Sequence, residues 1–275
     1  NFLREMEFNR LLSQVISFYG EPNKNEIGRL KKSIKTSEIN TKLYKNILNE
    51  EDLEKLIKDL NEQSIISVDT ETSSLNPLEA ELIGISVSYA SNISFYVPVG
   101  HKNSSNLDKD LVIKKFKTIL EDPSIKKVGQ NIKYDYIIFK KLGIEIESIE
   151  DTMLLSYTLD AGNNRHNMDT LSELHLDHKA ISYKDLVGTG KKQLNFSEVD
   201  LDKATEYAAE DADITLRLYG ILSKRVEDEK LNKIYEIFEK PMIKILSKLE
   251  MNGIKVDDRH LKALSKKDRK SGSAG

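Results

Sequence analysis

The spacing of apolar residues changes near residue 65, and this change limits the folds that the chain can adopt. Ile65 to Val68 form a short apolar run that is followed by the acidic residues Asp69 and Glu71, which indicates a buried strand with a polar end. Strands are predicted at 65–69, 82–89, 93–99 and 127–129. The short Ser91-Asn92 link between the second and the third strand indicates an antiparallel hairpin.

Helical spacing dominates on either side of these strands. Helices are predicted at 1–19, 51–60, 107–120, 132–141, 149–160, 168–176, 200–228 and 231–251, with the last one interrupted at Pro241. Residues 20–40 are predicted to be a linker, and residues 180–197 irregular coil. Strands followed by interleaved helices predict an α/β domain with a mixed sheet.

Composition excludes several classes of protein. The 275 residues contain no cysteine, which removes disulfides and thiolate zinc sites and agrees with a reducing compartment. The sequence has no run of about 18 apolar residues, so no membrane span is predicted and the expected location is cytoplasmic. The net charge is −3, so the chain as a whole is not a generic basic binder of nucleic acid. A local basic rim beside a metal site would be enough for an enzyme that acts on nucleic acid.

The first candidate site residues are Asp69 and Glu71 at the end of the first predicted strand. Side chains two residues apart in a strand share a face, so both carboxylates point the same way beside apolar neighbours. Unpaired carboxylates next to a core are costly. A hard cation such as Mg²⁺ or Mn²⁺ would offset that cost through oxygen ligation. An Asp-x-Glu pair by itself is also compatible with a solvated turn.

Asp135 lies where the strand at 127–129 turns at Gly129 into a helix. It falls in the first turn of that helix. One interpretation is a functional carboxylate that joins the first pair. The other is ordinary chemistry of a helix N-terminus, in which Asn131 caps the helix and Asp135 complements its dipole.

Tyr207 and Asp211 are four residues apart in the long helix, so they share one helical face. The small pair at 208–209 allows this helix to approach another part of the fold closely. Glu210 and Asp213 point elsewhere and are predicted to be solvated. An amphipathic helix with one tyrosine at its boundary is the alternative interpretation.

In chain order, a strand Asp-x-Glu, a helix-start Asp and a helical Tyr-x-x-x-Asp resemble the three exonuclease motifs of the DnaQ-like superfamily, in its tyrosine (DEDDy) subgroup. Glu206 stands where the histidine subgroup carries its histidine, which argues against that subgroup. The surrounding residues are similar to those of the family A DNA polymerases, the DNA polymerase I type. The similar segments are 6–12, 69–75, 129–135, 151–154, 165–169, 190–196, 207–213 and 239–257.

This resemblance implies a ribonuclease H-like α/β fold, with a mixed five-stranded sheet and helices on both faces. It also implies a proofreading 3′→5′ exonuclease with two divalent cations, Mg²⁺ or Mn²⁺. Asp69, Glu71 and Asp211 would ligate one ion. Asp69 would also bridge to the second ion, which Asp135 would reach through water. Tyr207, with an ordinary pKa, would orient the attacking water.

The resemblance further implies contacts with the single-stranded 3′ end of DNA. The residues that match positions lining the strand cleft are Thr72, Leu75, Gln130, Asn131, Tyr134, Met153, Arg165 and Phe196. Leu75 and Phe196 would hold unstacked bases by apolar and π contact, which tolerates any base. The cations that could meet backbone phosphate are Lys133, Arg165, Lys191 and Lys192, with a solvated surface as the better interpretation for the last two.

By the same resemblance the chain divides into four parts. They are an N-terminal helix and linker at 1–45, the exonuclease domain at 46–230, the truncated start of a polymerase region at 231–270 and an artificial linker at 271–275. The chain is expected to be a monomeric fragment of a longer polymerase, whose other parts are its partners in cis. No membrane partner and no polymerase activity are expected.

Two other functions are compatible with this fold. One is a catalytically silent scaffold domain, since some family A polymerases keep the fold after losing their metal ligands. The presence of all four carboxylates and of Tyr207 argues against it. The other is a ribonuclease D-like exonuclease that acts on RNA and shares the same signature, against which the polymerase-like flanking segments argue.

Overall fold

The structure is a computed structural model that describes residues 38–190 and 193–271. The predicted helix at 1–19, most of the predicted linker, Lys191, Lys192 and residues 272–275 lie outside the described residues. None of the helices in residues 38–190 and 193–271 combines the length and the apolar character that a membrane span requires.

A six-stranded mixed sheet forms the centre of the fold, in the order β1-β4-β3-β2-β5-β6. Its strands are β1 (Lys45–Asn46), β2 (Ile65–Thr72), β3 (Leu82–Ala90), β4 (Ile93–Pro98), β5 (Lys126–Gly129) and β6 (Ile149–Asp151). The strands β2, β3 and β4 are antiparallel neighbours, and the other strands join the sheet in parallel. The predicted hairpin is confirmed, and its turn residue Asn92 takes a left-handed φ of 63°.

The sheet has one strand more than the expected five. Strand β1 is only two residues long, and it exists because it pairs in parallel with β4, which no local pattern reports. Strand β6 occupies the first residues of the helix predicted at 149–160, so that prediction was wrong for Ile149–Asp151. Three buried residues are too few to display a period of two.

Helices lie on both faces of the sheet. They are α1 (Glu50–Asn61), α2 (Lys109–Leu120), α3 (Lys133–Lys141), α4 (Thr152–Asp160), α5 (Met168–Leu176), α6 (Tyr183–Val187), α7 (Leu201–Asp228), α8 (Asn232–Ile234), α9 (Lys240–Asn252) and α10 (Asp258–Ser271). Helix α6, inside the region predicted as irregular coil, and helix α10 were not predicted. The predicted interruption at Pro241 is confirmed, because a π-helical turn at Tyr235–Glu239 precedes the start of α9.

One face of the sheet carries the larger apolar core. Ile66 and Val68 of β2 and Ile85 and Val87 of β3 are fully buried, in one cluster with apolar side chains of α1 and α2. The spacing of buried leucines and Ile57 in α1 gives that helix a single apolar stripe. Each such side chain stabilises the fold by about 1.5–3 kcal/mol when fully buried.

The opposite face of the sheet carries the small side chains of Ser67, Ser88 and Ser94, and helix α7 lies directly on it. The Ser67 hydroxyl donates to the carbonyl oxygen of Ala212 at 2.7 Å, and the Ser94 hydroxyl donates to that of Ala209 at 2.6 Å. Both alanines are fully buried. The expectation that the small pair at 208–209 allows a close approach is therefore confirmed, and the sheet is the partner. These bonds fix the position of α7 against β2 and β4.

Candidate active site

Strand β2 ends in two carboxylates on the sheet face that α7 covers. Across the ladder to β3, Asp69 pairs with Ser86 and Glu71 pairs with Gly84. A Cβ atom at Gly84 would lie 2.2 Å from the hydroxyl oxygen of Tyr96, so the Tyr96 ring fills the space over this glycine. Because residues i and i+2 of a strand point the same way, the two acidic side chains share this face.

Helix α7 brings a third carboxylate to the end of β2. One carboxylate oxygen from each of Asp69, Glu71 and Asp211 lies within 4.8 Å of the other two. Tyr207 lies one helical turn earlier on the same face. Among the described residues, this is the group of acidic side chains with the spacing to hold a metal ion, and carboxylate oxygens are the ligands that Mg²⁺ and Mn²⁺ prefer.

Asp135 approaches this cluster from helix α3. Its Oδ1 accepts the backbone N–H of Thr70 at 2.9 Å and the Thr70 hydroxyl at 2.5 Å. Strand β5 pairs with β2 only as far as Ser67, so the N–H of Thr70 lies beyond that ladder and is free to bind Asp135. The alternative role for Asn131 is not observed, because the N-cap of α3 is Ile132 and has no side-chain capping bond.

Burial dominates the electrostatics of these four carboxylates. It raises the pKa of Asp69 to about 6. It also raises the pKa of Glu71, Asp135 and Asp211 well above the usual range, and the neighbouring carboxylate charges raise these values further. Like charges this close and this buried disfavour full ionisation. A bound divalent cation would remove that conflict, so the residues present are compatible with a metal centre.

The raised pKa values predict how the metal-free protein responds to pH. A carboxyl group whose pKa is higher in the folded state than in the unfolded state contributes stability at low pH, and this contribution is lost as the pH rises through the folded value. For Asp69 the change runs from 3.8 to about 6, which corresponds to a loss on the order of 3 kcal/mol. Thermal unfolding in excess EDTA should therefore show Tm falling as the pH rises from about 4 through about 6. Ionisation of Glu71, Asp135 and Asp211, whose pKa values are raised further, should extend the fall to higher pH.

The same experiment with Mg²⁺ should restore Tm at about pH 8 and change it little at about pH 5, because protonated carboxyl groups bind cations poorly. The matched variant is Asp69→Asn, which cannot ionise at this position and should show a smaller fall of Tm with pH in EDTA. If Tm of the parent and of the variant depends on pH in the same way in EDTA, the pKa of Asp69 is not raised.

A cluster of aromatic rings lies beside Tyr207. The Tyr207 ring centroid is 5.9 Å from that of Tyr183 and 6.2 Å from that of Phe196. Phe196 is 1% exposed and also packs against Tyr96 and His101. The expected contact of Phe196 with a DNA base disagrees with this burial, because a stacked base needs an open ring face. Phe196 instead supports the ring of Tyr207.

Tyr207 is a proton donor at neutral pH. Burial raises its pKa well above the ordinary range, and the charges of Asp211 and the two β2 carboxylates raise it further. The ordinary pKa expected from the sequence is therefore wrong. The consequence for chemistry is the same, since the hydroxyl keeps its proton and can position a water molecule.

The loop between β2 and β3 carries Leu75, whose side chain is 94% exposed. The hydroxyl groups of Thr72 and Tyr134 are hydrogen bonded at 2.5 Å, and the Tyr134 hydroxyl also donates to a carbonyl oxygen of this loop. The side-chain amide of Asn195 donates to a second loop carbonyl oxygen at 3.1 Å. A single exposed leucine is common on protein surfaces, but this one stands on a loop that is fixed beside the carboxylates.

The other expected DNA contacts lie on the turn after β5 and around α4. Asn131 is exposed and takes a left-handed φ of 60°. The side-chain amide of Gln130 is hydrogen bonded at both ends within the protein. Met153 is half-buried in the first turn of α4, and Arg165 is exposed. Lys133, expected to meet phosphate, forms an ion pair with a glutamate of α9.

Glu210 and Asp213 are buried, so the prediction that they are solvated was wrong. The Glu210 carboxylate lies 2.8 Å from Nε2 of His178. Asp213 accepts two hydrogen bonds from the Arg217 guanidinium and one from the Tyr44 hydroxyl. The periodicity of α7 shows which residues share a face, but it does not show that other elements cover every face.

Three residues that shape the site were missed. Asp151 and Asn195 fall within polymerase-like segments, so the resemblance offered a signal for them. Tyr183 lies in the region predicted as irregular coil and gave no signal. All three act through packing or backbone hydrogen bonds, which a single sequence does not display.

Comparison with known proteins agrees with this geometry. A family model described as 3′–5′ exonuclease matches residues 44–227, a range that contains the four carboxylates and Tyr207. The chain belongs to the 3′–5′ exonuclease family of DNA polymerase I. DNA polymerase I of Rhizobium leguminosarum is 42% identical over 233 residues, which cover 78% of this chain and 23% of the relative. DNA polymerase I of Borreliella burgdorferi is 38% identical over 247 residues, which cover 89% of this chain and 26% of the relative.

This chain thus spans about a quarter of the length of these curated relatives. Solved structures show the same fold. Brucella melitensis NrnC superposes with a TM-score of 0.58 at 21% identity, over 76% of this chain and 92% of that chain. Trypanosoma brucei RNase D superposes with a TM-score of 0.55 at 18% identity, over 65% and 64%. The expected ribonuclease H-like α/β class is confirmed, with six strands in the sheet.

Proposed function

We propose that this exonuclease domain hydrolyses the 3′-terminal phosphodiester of single-stranded or frayed DNA with two divalent cations, Mg²⁺ or Mn²⁺. The observation that carries the proposal is the convergence of carboxylate oxygens of Asp69, Glu71 and Asp211 within 4.8 Å, with Asp135 bound to the same strand. Bound cations would offset the carboxylate charges, lower the pKa of the attacking water and stabilise the attacking and leaving oxygens of an in-line displacement at phosphorus.

Each side chain of the centre has its own task in this reaction. Asp69, Glu71 and Asp211 would hold one cation, and Asp69 and Asp135 would serve the second. The protonated hydroxyl of Tyr207 holds the attacking water in line with the phosphorus atom. Water oxygen bonds to phosphorus as the bond to the 3′ oxygen breaks. The shortened strand keeps that oxygen as a 3′-hydroxyl, and the terminal nucleotide leaves as a 5′-monophosphate.

The substrate end is held by residues around the carboxylates. Leu75 contacts the terminal bases through its exposed side chain, which requires no particular base. The remaining residues that we propose to line the cleft are Thr72, Gln130, Asn131, Tyr134, Met153 and Arg165. A duplex end must first lose base pairing and stacking, which costs a few kcal/mol, so single strands are preferred over duplex.

The polymerase context supplies the second part of the proposal. We place the exonuclease domain at 46–230 and the start of a polymerase region at 231–270. The family match at 44–227 supports the first of these two ranges. Helix α9 and the turn before it leave a row of large apolar side chains exposed: Ile237, Phe238, Met242, Ile245 and Leu249. This face would pack against the rest of a polymerase chain in cis, and the domain acts as a monomer.

Two alternatives have the same fold. In a silent scaffold domain the carboxylates would have no catalytic task. Carboxylates that converge, are buried and have raised pKa values are typical of a functional centre. An RNA exonuclease of the ribonuclease D type would share the carboxylates, and Trypanosoma brucei RNase D shares the fold. The identities of 42% and 38% to DNA polymerase I favour DNA.

The deciding experiment is digestion of matched single-stranded DNA and RNA, labelled at either end. We expect no cleavage in excess EDTA, recovery with Mg²⁺ or Mn²⁺, and release of 5′-mononucleotides from the 3′ end of DNA. The first product from a 5′-labelled strand should be one nucleotide shorter than the substrate.

Each failure has a distinct meaning. Full activity in EDTA contradicts the two-metal reaction. Degradation from the 5′ end contradicts the polarity. Faster digestion of RNA than of DNA favours the ribonuclease D-type alternative, and inactivity under all conditions favours the scaffold.

A further inference from the structure

Asp151 is a buried carboxylate that the proposed reaction does not use. It is 2% exposed and accepts four backbone N–H groups. Its Oδ1 accepts those of Asn131, Met153 and Leu154 at 2.8–3.2 Å, and its Oδ2 accepts that of Ile132 at 3.0 Å. Burial raises the pKa of Asp151 to about 6, and the four donors limit the rise.

These four bonds join two separate pieces of chain. Asn131 and Ile132 belong to the turn between β5 and α3, and Met153 and Leu154 belong to the first turn of α4. Asn131 has a left-handed φ of 60°, a conformation that asparagine adopts more readily than most residues. By accepting N–H groups from both pieces, the Asp151 carboxylate sets the spacing between the turn and α4.

We call these four hydrogen bonds of Asp151 the clamp, and the metal centre does not depend on it. Asp135 lies on α3, one turn beyond Ile132, but its carboxylate is bound directly to Thr70 by two hydrogen bonds. A looser turn would therefore displace Asn131 and Met153 more than it displaces Asp135. The clamp acts on the walls of the cleft and leaves the carboxylate cluster in place.

A second layer of hydrogen bonds holds the strand that carries Asp151. The Tyr235 hydroxyl accepts the backbone N–H of Asp151 at 3.0 Å and donates to the Glu150 carboxylate at 3.0 Å. Lys240 forms an ion pair with Glu150 at 2.9 Å. Tyr235 and Glu150 are both buried. The chain that follows α7 therefore reaches back to β6 through Tyr235 and Lys240.

We propose that Asp151 is a positioning residue that sets the width of the strand-binding cleft, and that Tyr235 transmits the position of the chain after α7 to it. This inference rests on the proposed function in one respect, because it takes Asn131 and Met153 to contact the DNA strand. The inference goes beyond the proposed function because it assigns to Tyr235, in the chain after α7, a role in supporting the cleft.

The test compares Asp151→Asn and Tyr235→Phe on two substrates. One is a single-stranded DNA oligonucleotide, and the other is the p-nitrophenyl ester of thymidine 5′-monophosphate, which occupies the metal centre and has no neighbouring nucleotides. An asparagine directs an NH₂ group at one of the backbone donors, so at least one bond of the clamp is lost. We expect KM for the oligonucleotide to rise about tenfold, with kcat and ester hydrolysis changed less than about twofold.

Tyr235→Phe should raise the KM for the oligonucleotide by about threefold. This variant loses the hydrogen bonds of the Tyr235 hydroxyl to β6 but keeps the four bonds of the Asp151 carboxylate. The matched control is Lys244→Met, which breaks the ion pair of α9 with Glu147 at 3.1 Å and does not contact Asp151. This control should behave like the parent.

The outcomes separate the two proposals. A parent that digests neither substrate contradicts the proposed function itself. A parent-like KM for Asp151→Asn, or an equal loss with the small ester, overturns the positioning role. If Asp151→Asn does not fold, Tyr235→Phe decides alone, because a raised oligonucleotide KM supports the inference and a parent-like KM overturns it.

Discussion

Replacing Asp211 by alanine is expected to abolish measurable digestion of single-stranded DNA. Asp211 supplies one of the three carboxylate oxygens that converge within 4.8 Å, so the variant keeps two of the three ligands of one cation. Loss of a residue that acts as part of such a unit lowers turnover by roughly 10⁴-fold or more. Metal affinity should fall by more than the roughly 10- to 100-fold typical for loss of an outer-shell partner.

The same substitution has an opposite effect on the metal-free protein. Burial and the charge of Asp69 raise the pKa of Asp211 well above its usual range, so the charged group opposes folding at neutral pH. In EDTA at about pH 8, Asp211→Ala should therefore unfold at a higher Tm than the parent. Calcium or magnesium titrations, single-turnover rates and thermal unfolding check the three expectations.

The control for Asp211 is Asp228→Ala at the end of the same helix. Asp228 is 63% exposed and lies 3.9 Å from Lys224, an exposed pair that contributes little to stability. Its removal should leave rate, metal affinity and Tm unchanged. If Asp211→Ala keeps normal metal affinity, α7 does not supply a ligand to the metal centre.

Tyr207→Phe is expected to lower the single-turnover rate by roughly one to three powers of ten, the usual size for loss of one positioned hydrogen bond at a transition state. The phenyl ring keeps the packing against Tyr183 and Phe196, so the fold should be unchanged. Metal affinity should change little, because Tyr207 is not among the clustered carboxylate ligands. The measurement is a single-turnover rate at saturating metal, combined with a metal titration.

Tyr89→Phe is the matched control for the lost hydroxyl. Tyr89 lies on β3, and its hydroxyl donates a solvent-exposed hydrogen bond to the Asp59 carboxylate at 3.4 Å. Removal of this hydroxyl should leave the rate unchanged. A parent-like rate for Tyr207→Phe would show that this hydroxyl does not position the water. A large loss of metal affinity would instead make Tyr207 part of the metal site.

The signals that the sequence carried were local ones. The spacing of Asp69 and Glu71 on a strand and of Tyr207 and Asp211 on a helix placed each pair on one face, because backbone geometry fixes which side chains share a side. Strands β2 to β5 and the helices with a clear apolar stripe were predicted close to their observed bounds. The order of the motifs indicated the superfamily, and the residues around the motifs indicated the family A DNA polymerases.

Other features follow from contacts between distant segments, which no local pattern records. Strand β1 forms through its pairing with β4. Glu210 and Asp213 are buried because Tyr44, His178 and neighbouring segments cover the remaining sides of α7. Phe196 looked like a surface for a base and lies instead under Tyr207.

The sequence by itself determined the chemical type of the site: four carboxylates and a tyrosine on two kinds of element, in the order of an exonuclease family. Only the tertiary structure decided that these groups meet. The serine hydroxyls of β2 and β4 fix α7 against the sheet, and Thr70 holds Asp135. Each of these contacts joins residues far apart in the chain, so its geometry depends on the packing of the whole domain, which the spacing of residues along one segment does not encode.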